Sequence, residues 1–360
     1  MKAALLRAYG QPLSTEEISL GALGDFDVRV QVVATGVCHS DLHVARGEVP
    51  LPVPTVLGHE GAGIVTAVGE RVSEVAIGDH VVGCMSVFCG TCAYCLSGRP
   101  YLCTRAELIG RDPRLGPTLH QRDEAITAFC DLGSFAEEMI VHQRALARIP
   151  DEMPLERAAL LGCAVTTGLG AVFNTAGVQP GDTVAVVGCG GVGLAAIQAA
   201  AIAGADRVIA VDQVAGKREL ARRLGATDFV EASGHDASAA VLELTGGGVD
   251  HAIEAAGSKS TIEAAYGMLR AGGTATVCGF LGFGQTIEID PLDLLFEKRL
   301  QGSQMGSNRF RLDIPRYAKL YLSGRLDLDS LVSRTIGLDD INDAFDAMGT
   351  GQLARQVVVF

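Results

Sequence analysis

The chain is short of positive charge. Lys and Arg together number 29 against 42 Asp and Glu, a formal net charge of −13. Nucleic acid and anionic membrane call for a basic patch, so this imbalance argues against either as a partner. The opening MKAALLRAYGQPLSTEEISL lacks the long apolar run of an export signal. Internal repeats, low-complexity linkers and long charge runs are missing too. Thr183 to Ala205 carries no charge and is long enough to span a bilayer, but it contains GCGGVG. Such a glycine cluster breaks a helix, so a buried strand, a tight turn and a buried helix are expected instead. The expected location is cytoplasmic, where thiols bind metal or do chemistry rather than pair.

Thiols are what the sequence does supply. The stretch 88-FCGTCAYCLSGRPYLCT-104 sets Cys89, Cys92, Cys95 and Cys103 at C-x2-C-x2-C-x7-C spacing. Disulfides do not suit a reducing compartment. An iron–sulfur site shares the two short gaps, but ferredoxin patterns continue with x3 and Cys-Pro, whereas here the gap is seven and Thr104 follows. Four thiolates satisfy a closed tetrahedral zinc, which fits best. A closed site stabilises a loop and offers no position to a substrate.

At 360 residues the chain exceeds one ordinary core, so two domains are expected. Residues 1–164 are Val-rich and punctuated by glycine, with short strands expected in 28-VRVQVVATGVC-38, 61-GAGIVTAVGERV-72 and 78-GDHVVGC-84. From about residue 165 short apolar strands (183-TVAVVG-188, 207-RVIAVD-212, 228-DFV-230, 249-VDHAIEA-255, 273-GTATVCGF-280) alternate with helical segments. That is the pattern of a doubly wound parallel sheet. The chain then returns to mixed character and ends in the strand 355-RQVVVF-360.

188-GCGGVG-193 follows the first of these strands and opens a helix. Gly188 permits the tight turn, Gly190 lets backbone approach a pyrophosphate, and Gly193 lets helix and strand pack closely. The helix N-terminus offers free N–H groups to the phosphates. A G-x-G-x-x-G alone is weak. Here the next strand ends in Asp212, placed to accept hydrogen bonds from the ribose and to repel a 2′-phosphate, and Gln213 and Val214 supply no Arg. NAD is therefore expected over NADP.

Cys38 lies in 36-GVCHSDLH-43, His59 in 58-GHEGAG-63 and Cys163 in 162-GCAVTTG-168. Each alone is ordinary. Together they form the set of two thiolates and one imidazole, with one open position, known from alcohol dehydrogenase itself; the match is taken over from that enzyme. With these motifs, the four-cysteine lobe, GCGGVG and the terminal RQVVVF in register, the whole sequence resembles the zinc-dependent medium-chain alcohol dehydrogenases. The resemblance implies an α/β fold: a GroES-like β-barrel catalytic domain (1–164, zinc lobe 84–104, completed by 305–360) interrupted by a Rossmann domain (165–304).

Roles follow from the resemblance. Cys38, His59 and Cys163 match catalytic zinc ligands, Glu60 a carboxylate that approaches the metal, and Asp41 the acid that orients the imidazole. Ser40 matches the hydroxyl on the substrate oxygen and His43 the outer base of a proton relay. Gly188, Gly190, Gly191, Val192 and Gly193 match the pyrophosphate turn, Asp212 the ribose acid and Lys217 a cation at the adenosine end. Thr167 matches a side chain against nicotinamide, Arg355 a pyrophosphate-binding Arg, and His39 a place often held by a phosphate-contacting Arg. The implied reaction is reversible NAD-linked oxidation of a primary alcohol to an aldehyde, by hydride transfer from a zinc-bound alkoxide. Two zinc ions per chain are implied, one catalytic and one structural.

Met85, Leu108, Phe129, Phe280 and Met305 match places near the substrate channel. They include no charge, so an aromatic or medium-chain alcohol is expected, since a polyol or charged acid would lose hydration without finding partners. The long segment between Cys103 and Gly133 resembles the dimeric branch, and 285-QTIEIDP-291 is a possible edge strand across a two-fold axis. Cys84, Cys130, Cys189 and Cys278 match no zinc position and read as small apolar residues. His80, His120, His142, His235 and His251 fit no ligand pattern, and 339-DDINDAFDAM-348 reads as a solvated acidic face.

Other functions stay open. A zinc-free quinone reductase would leave Cys38, His59 and Cys163 idle, and the polyol branch usually has Glu at the place of Cys163. A secondary-alcohol dehydrogenase and a thiol-adduct formaldehyde dehydrogenase are the nearer alternatives. For the latter, the places of the glutathione-holding charges look like Val49 and Glu107, with Glu48 adjacent. A zinc-stabilised, NAD-sensing binding protein is the non-enzymatic reading.

Overall fold

The computed structural model describes residues 1–104, 111–233, 236–349, 351 and 353–360. Leu108, Glu107 and His235 lie outside the described residues. The chain divides into two compact units, Met1–Cys163 with Arg309–Phe360, and Ala164–Asn308.

The first unit is built on the strand Asp27–Val37. It pairs antiparallel with Glu60–Val68, Glu138–His142 and Arg355–Val359. Its inward residues Val28, Val30 and Val32 alternate along the pleat and pack with Val65, Val81, Leu132 and Met139. A second sheet pairs Lys2–Leu6 with Ser14–Glu17 and Thr55–Val56, over a core that includes Leu5, Leu6, Leu57 and Phe135. The acid-rich C-terminal segment forms the helix Ile341–Met348. Ile341, Ala344, Phe345 and Met348 are buried while Asp343 and Asp346 face solvent, as its charge pattern leads one to expect.

Strand register brings one set of ends together. Gly36 lies opposite Glu60, and Gln356 opposite Val37. Cys38, His59, Glu60 and Arg355 therefore emerge at one end of three neighbouring strands. Gly36 is needed there: a Cβ on it would stand 2.0 Å from Glu60 Oε2.

The second unit is a six-stranded, all-parallel sheet. From edge to edge its strands are Asp228–Glu231, Arg207–Asp212, Thr183–Val187, Val249–Glu254, Leu269–Val277 and Arg299–Gly302. The first strand in sequence is thus central, and the order reverses between Thr183–Val187 and Val249–Glu254. The charge-free stretch resolves into that central strand, the glycine turn and the helix Gly191–Ala203. Among the described residues no single helix is long and apolar enough to cross a membrane. Residues 285–290 form no strand within the chain, and the helix Pro291–Leu295 follows them.

Candidate active site and metal centres

Among the described residues two groups of side chains can hold a metal ion. They are Cys38, His59, Glu60 and Cys163, and Cys89, Cys92, Cys95 and Cys103, each with its ligand atoms within 4.8 Å of one another.

The four-cysteine lobe is shaped by its own backbone. The Cys89 sulfur accepts N–H bonds from Thr91 (3.4 Å) and Cys92 (3.3 Å), and Cys103 accepts one from Cys89 (3.3 Å). Donors of this kind favour thiolate. The Thr91 N–H and hydroxyl draw the Cys89 thiol down to about 6, while burial and its neighbours push Cys95 up to about 12. Four thiols this close do not ionise together without a cation among them. The sulfur separations of 3.5–4.0 Å (Cys92–Cys95, Cys89–Cys95, Cys92–Cys103) bracket the edge of about 3.8 Å that a tetrahedron of zinc–sulfur bonds requires. The residues fit a closed zinc. Arg144 donates to the carbonyl of Cys89 and ties the lobe to the barrel.

The second group is wholly buried. Cys38 follows the strand Asp27–Val37 and is the N-cap residue of the helix His39–Ala45. That helix carries Asp41, whose Oδ1 accepts from the Gly58 N–H at 2.8 Å and from His59 Nδ1 at 3.1 Å. His59 Nε2 is left buried without a hydrogen-bond partner among the described residues. A neutral imidazole held this way aims a lone pair from Nε2, as a metal ligand must. Cys163 follows the turn Ala159–Gly162, where Gly162 lies close enough that a Cβ would meet the Gly83 carbonyl at 2.7 Å. Cys38 and Cys163 share a hydrogen bond that draws the Cys38 thiol well below its ordinary value and holds Cys163 well above. Burial works against charge on His59, but Asp41 and Cys38 outweigh it and hold its pKa well above the ordinary value, so the site favours a positive charge at Nε2, which a metal ion would supply in place of a proton. Two thiols and an imidazole nitrogen without a hydrogen-bond partner among the described residues fit a three-ligand zinc with one open position.

Around this set the sequence expectations land unevenly. Glu60 is fully buried, and burial pushes its carboxyl up to about 7 against the pull of Arg355, whose Nη1 is 3.5 Å away. Arg355 also donates to the Val37 carbonyl at 3.2 Å, a contact its sequence match to a phosphate ligand gives no hint of. Ser40 Oγ lies 3.8 Å from Cys38 Sγ. His43 is half-buried and hydrogen-bonded to Glu48, a partner the sequence reading missed although the two are five residues apart. His39 is exposed. Phe129 sets its ring edge-on to His59, centroids 5.3 Å apart, whereas Met85 is exposed.

In the second unit the glycine turn meets its demands. Gly188 has φ +95°, a Cβ on Gly193 would stand 1.7 Å from the Gly188 carbonyl oxygen, and a Cβ on Gly190 would project into open space. That open space is room for a phosphate against backbone. Asp212 is buried at the end of its strand. It accepts from the Cys189 N–H (2.7 Å), the Val214 N–H (2.9 Å) and Lys217 Nζ (3.0 Å). Three donors leave room for one more at the roughly four lone-pair sites of a carboxylate. The residues fit a dinucleotide. Thr167 donates to the Met305 sulfur at 3.6 Å, and Phe280 is exposed beside Phe283.

The four unassigned thiols are held neutral. Burial pushes Cys84 up to about 11 and Cys130, Cys189 and Cys278 up to about 12. His142 accepts from the Arg144 N–H, and His251 pairs with Asp182 at 3.1 Å.

Two family models match the chain: the alcohol dehydrogenase GroES-like domain over residues 24–151 and the zinc-binding dehydrogenase over residues 191–321. An S-(hydroxymethyl)glutathione dehydrogenase of Synechocystis is 38% identical over 367 residues, covering 99% of both chains. Among solved structures, an alcohol dehydrogenase zinc-binding domain protein from Burkholderia ambifaria superposes with a TM-score of 0.95 at 37% identity, covering 100% of this chain and 98% of its own. Benzyl alcohol dehydrogenase from Acinetobacter calcoaceticus gives 0.94 at 34%, covering 100% and 99%. The chain belongs to the zinc-binding medium-chain alcohol dehydrogenase family and is an NAD(P)-linked zinc dehydrogenase.

Proposed function

We propose that this enzyme reversibly oxidises a primary alcohol group, –CH2OH, to the aldehyde level with NAD. The observation that carries the reading is His59 Nε2, buried without a hydrogen-bond partner among the described residues beside Cys38 and Cys163, while Asp41 holds the other ring nitrogen. When bound, zinc supplies a Lewis acid that eases loss of the alcohol's proton near neutral pH, and NAD accepts hydride.

The chain's own residues do the rest. Asp41 fixes the tautomer and direction of His59. Ser40 accepts the proton of the substrate hydroxyl as it gives up its own toward His43. His43, hydrogen-bonded to Glu48 and partly open to solvent, passes a proton to water. Asp212 receives the adenosine ribose and, with no Arg at Gln213 or Val214, disfavours a 2′-phosphate. Lys217 holds Asp212 in place, and Thr167, in the same unit, contacts the cofactor.

The carrier of the hydroxymethyl group that the relatives support best is a thiol adduct, as in the name of the Synechocystis enzyme. Glu48, next to the place of Val49, is exposed and hydrogen-bonded to His43. The second reading, an aromatic or medium-chain alcohol, is favoured by the Phe129 ring on His59 and by the benzyl alcohol dehydrogenase likeness. Initial rates of NADH formation with S-(hydroxymethyl)glutathione, benzyl alcohol, hexanol, ethanol, glycerol and 2-propanol separate them. The adduct leading supports the first reading, and benzyl alcohol or hexanol leading supports the second. Glycerol or 2-propanol leading overturns both.

A homodimer is proposed as well. In its support, the exposed apolar residues Phe283, Leu292, Leu295 and Phe296 crowd one segment, which precedes the edge strand Arg299–Gly302.

A further inference from the structure

We propose that Glu254 is a positioning residue for the dinucleotide, setting the wall of the cofactor crevice that faces the glycine turn; the proposal rests on the NAD reading above. In open α/β sheets a ligand binds outside the carboxyl ends of the strands, where the strand order reverses. Here that point lies between Thr183–Val187 and Val249–Glu254. Glu254 is the last residue of its strand, in register with Val187 on one side and Val277 on the other. It therefore sits where the turns after three strands converge.

Its hydrogen bonds tie two of those turns together. The side chain is fully buried. Oε1 accepts from the N–H groups of Ala256 (2.9 Å) and Gly257 (2.6 Å) and from the Thr261 hydroxyl (2.9 Å). These bonds fold the loop after its own strand back onto the strand end. Thr261 in turn closes the cap of the helix Lys259–Gly267 with Ser258. The Glu254 carbonyl accepts from the N–H groups of Cys278 (2.8 Å) and Gly279 (3.2 Å) and holds the loop after the next strand.

Both loops are packed without slack. A Cβ on Gly188 would stand 3.0 Å from Ala256, so the Glu254 loop lies directly against the first glycine of the turn. A Cβ on Gly257, at φ +79°, would stand 2.5 Å from the Phe280 carbonyl oxygen, so the two loops also touch each other. Moving residues 255–257 would move that wall of the crevice.

The remaining oxygen, Oε2, is buried with no hydrogen-bond partner among the described residues, and a Cβ on Gly279 would stand 2.7 Å from it. A polar atom in that position carries a desolvation cost that no bond offsets. A core needing only packing would be served by an apolar residue. The carboxylate is explained by the oxygen that gathers three donors, and those donors belong to the crevice.

The test is NAD and NADH titration by calorimetry on the zinc-loaded enzyme, wild type against Glu254→Ala and Glu254→Gln. Circular dichroism and zinc content verify folding. Wild type binds NAD if the cofactor reading holds; failure to bind overturns that reading and this one with it. The expected result for the alanine variant is a Kd for NAD raised about tenfold, with its KM for alcohol unchanged. Glutamine keeps a carbonyl acceptor and is expected within about threefold of wild type. An alanine variant that is folded and binds NAD as tightly as wild type overturns the proposal, as does a glutamine variant as weak as alanine. Should the alanine chain fail to fold, Thr261→Val removes one of the three donors. A two- to threefold rise in Kd then supports the role, and an unchanged Kd overturns it.

Discussion

Asp41 and His59 meet at 3.1 Å with neither side chain exposed to solvent. Because the same carboxylate oxygen also takes the Gly58 N–H, and the other takes the Cys38 N–H at 3.2 Å, one side chain sets three features of the metal set at once. Asp41→Asn keeps the volume and replaces one acceptor oxygen with a donor. Loss of such an outer partner typically weakens metal binding by about 10–100-fold. Chelator competition followed by elemental analysis is expected to strip one zinc from this variant early while the four-cysteine zinc stays. Equal retention of both ions would count against the role given to Asp41.

The two metal sets are predicted to separate stability from activity. Cys103→Ser opens a closed site whose zinc contributes folding energy. At about 2–4 °C per kcal/mol for a domain of this size, a loss of about 2 kcal/mol lowers the Tm by about 4–8 °C. Cys163→Ser is expected to melt near the wild-type temperature and to turn over little alcohol. Calorimetric melting and initial rates on the same samples check both halves. A Cys163→Ser enzyme with full activity would remove that residue from the ligand set.

Cofactor choice is predicted to rest on Asp212. Its carboxylate is preorganised by Cys189, Val214 and Lys217, and Gln213 beside it is exposed. The double variant Asp212→Gly with Gln213→Arg removes the charge that repels a 2′-phosphate and adds one that receives it. The ratio of kcat/KM for NADP over NAD is expected to rise by about tenfold or more. Equal use of both cofactors by the unaltered enzyme would contradict the assignment.

The apolar segment before the sheet edge carries the dimer prediction. Leu295 is 78% exposed and Phe283 74% in the single chain, an unusual exposure for large side chains next to an open strand edge. Light scattering is expected to give a dimer mass for wild type and a monomer mass for Leu295→Asp with Phe296→Asp. A tetramer for wild type would overturn the prediction.

Much of the fold was legible because its signals are local. The alternation of short strands and helices after residue 165, and the glycine turn with its following helix, are dictated by spacing and backbone freedom, and the sheet is parallel as read. The Cys38, His59 and Cys163 set was reached through family resemblance, since nothing in local spacing joins positions so far apart. Strand register does that work, by setting Gly36 opposite Glu60 and Gln356 opposite Val37. Glu254 was invisible for a similar reason. In sequence it only ends 249-VDHAIE-254, and its meaning comes from Ala256, Gly257 and Thr261 folding back onto one oxygen. The Arg355–Glu60 contact and the Phe129 ring on His59 likewise exist only once distant segments meet.

The central claim is that a zinc held by Cys38, His59 and Cys163 is what makes this protein a dehydrogenase. Elemental analysis of wild type and Cys163→Ser, with NADH formation measured on the same preparations, tests it most directly. The account predicts two zinc ions per chain with turnover in wild type, and one zinc ion with little turnover in the variant. Active protein containing no zinc would contradict it.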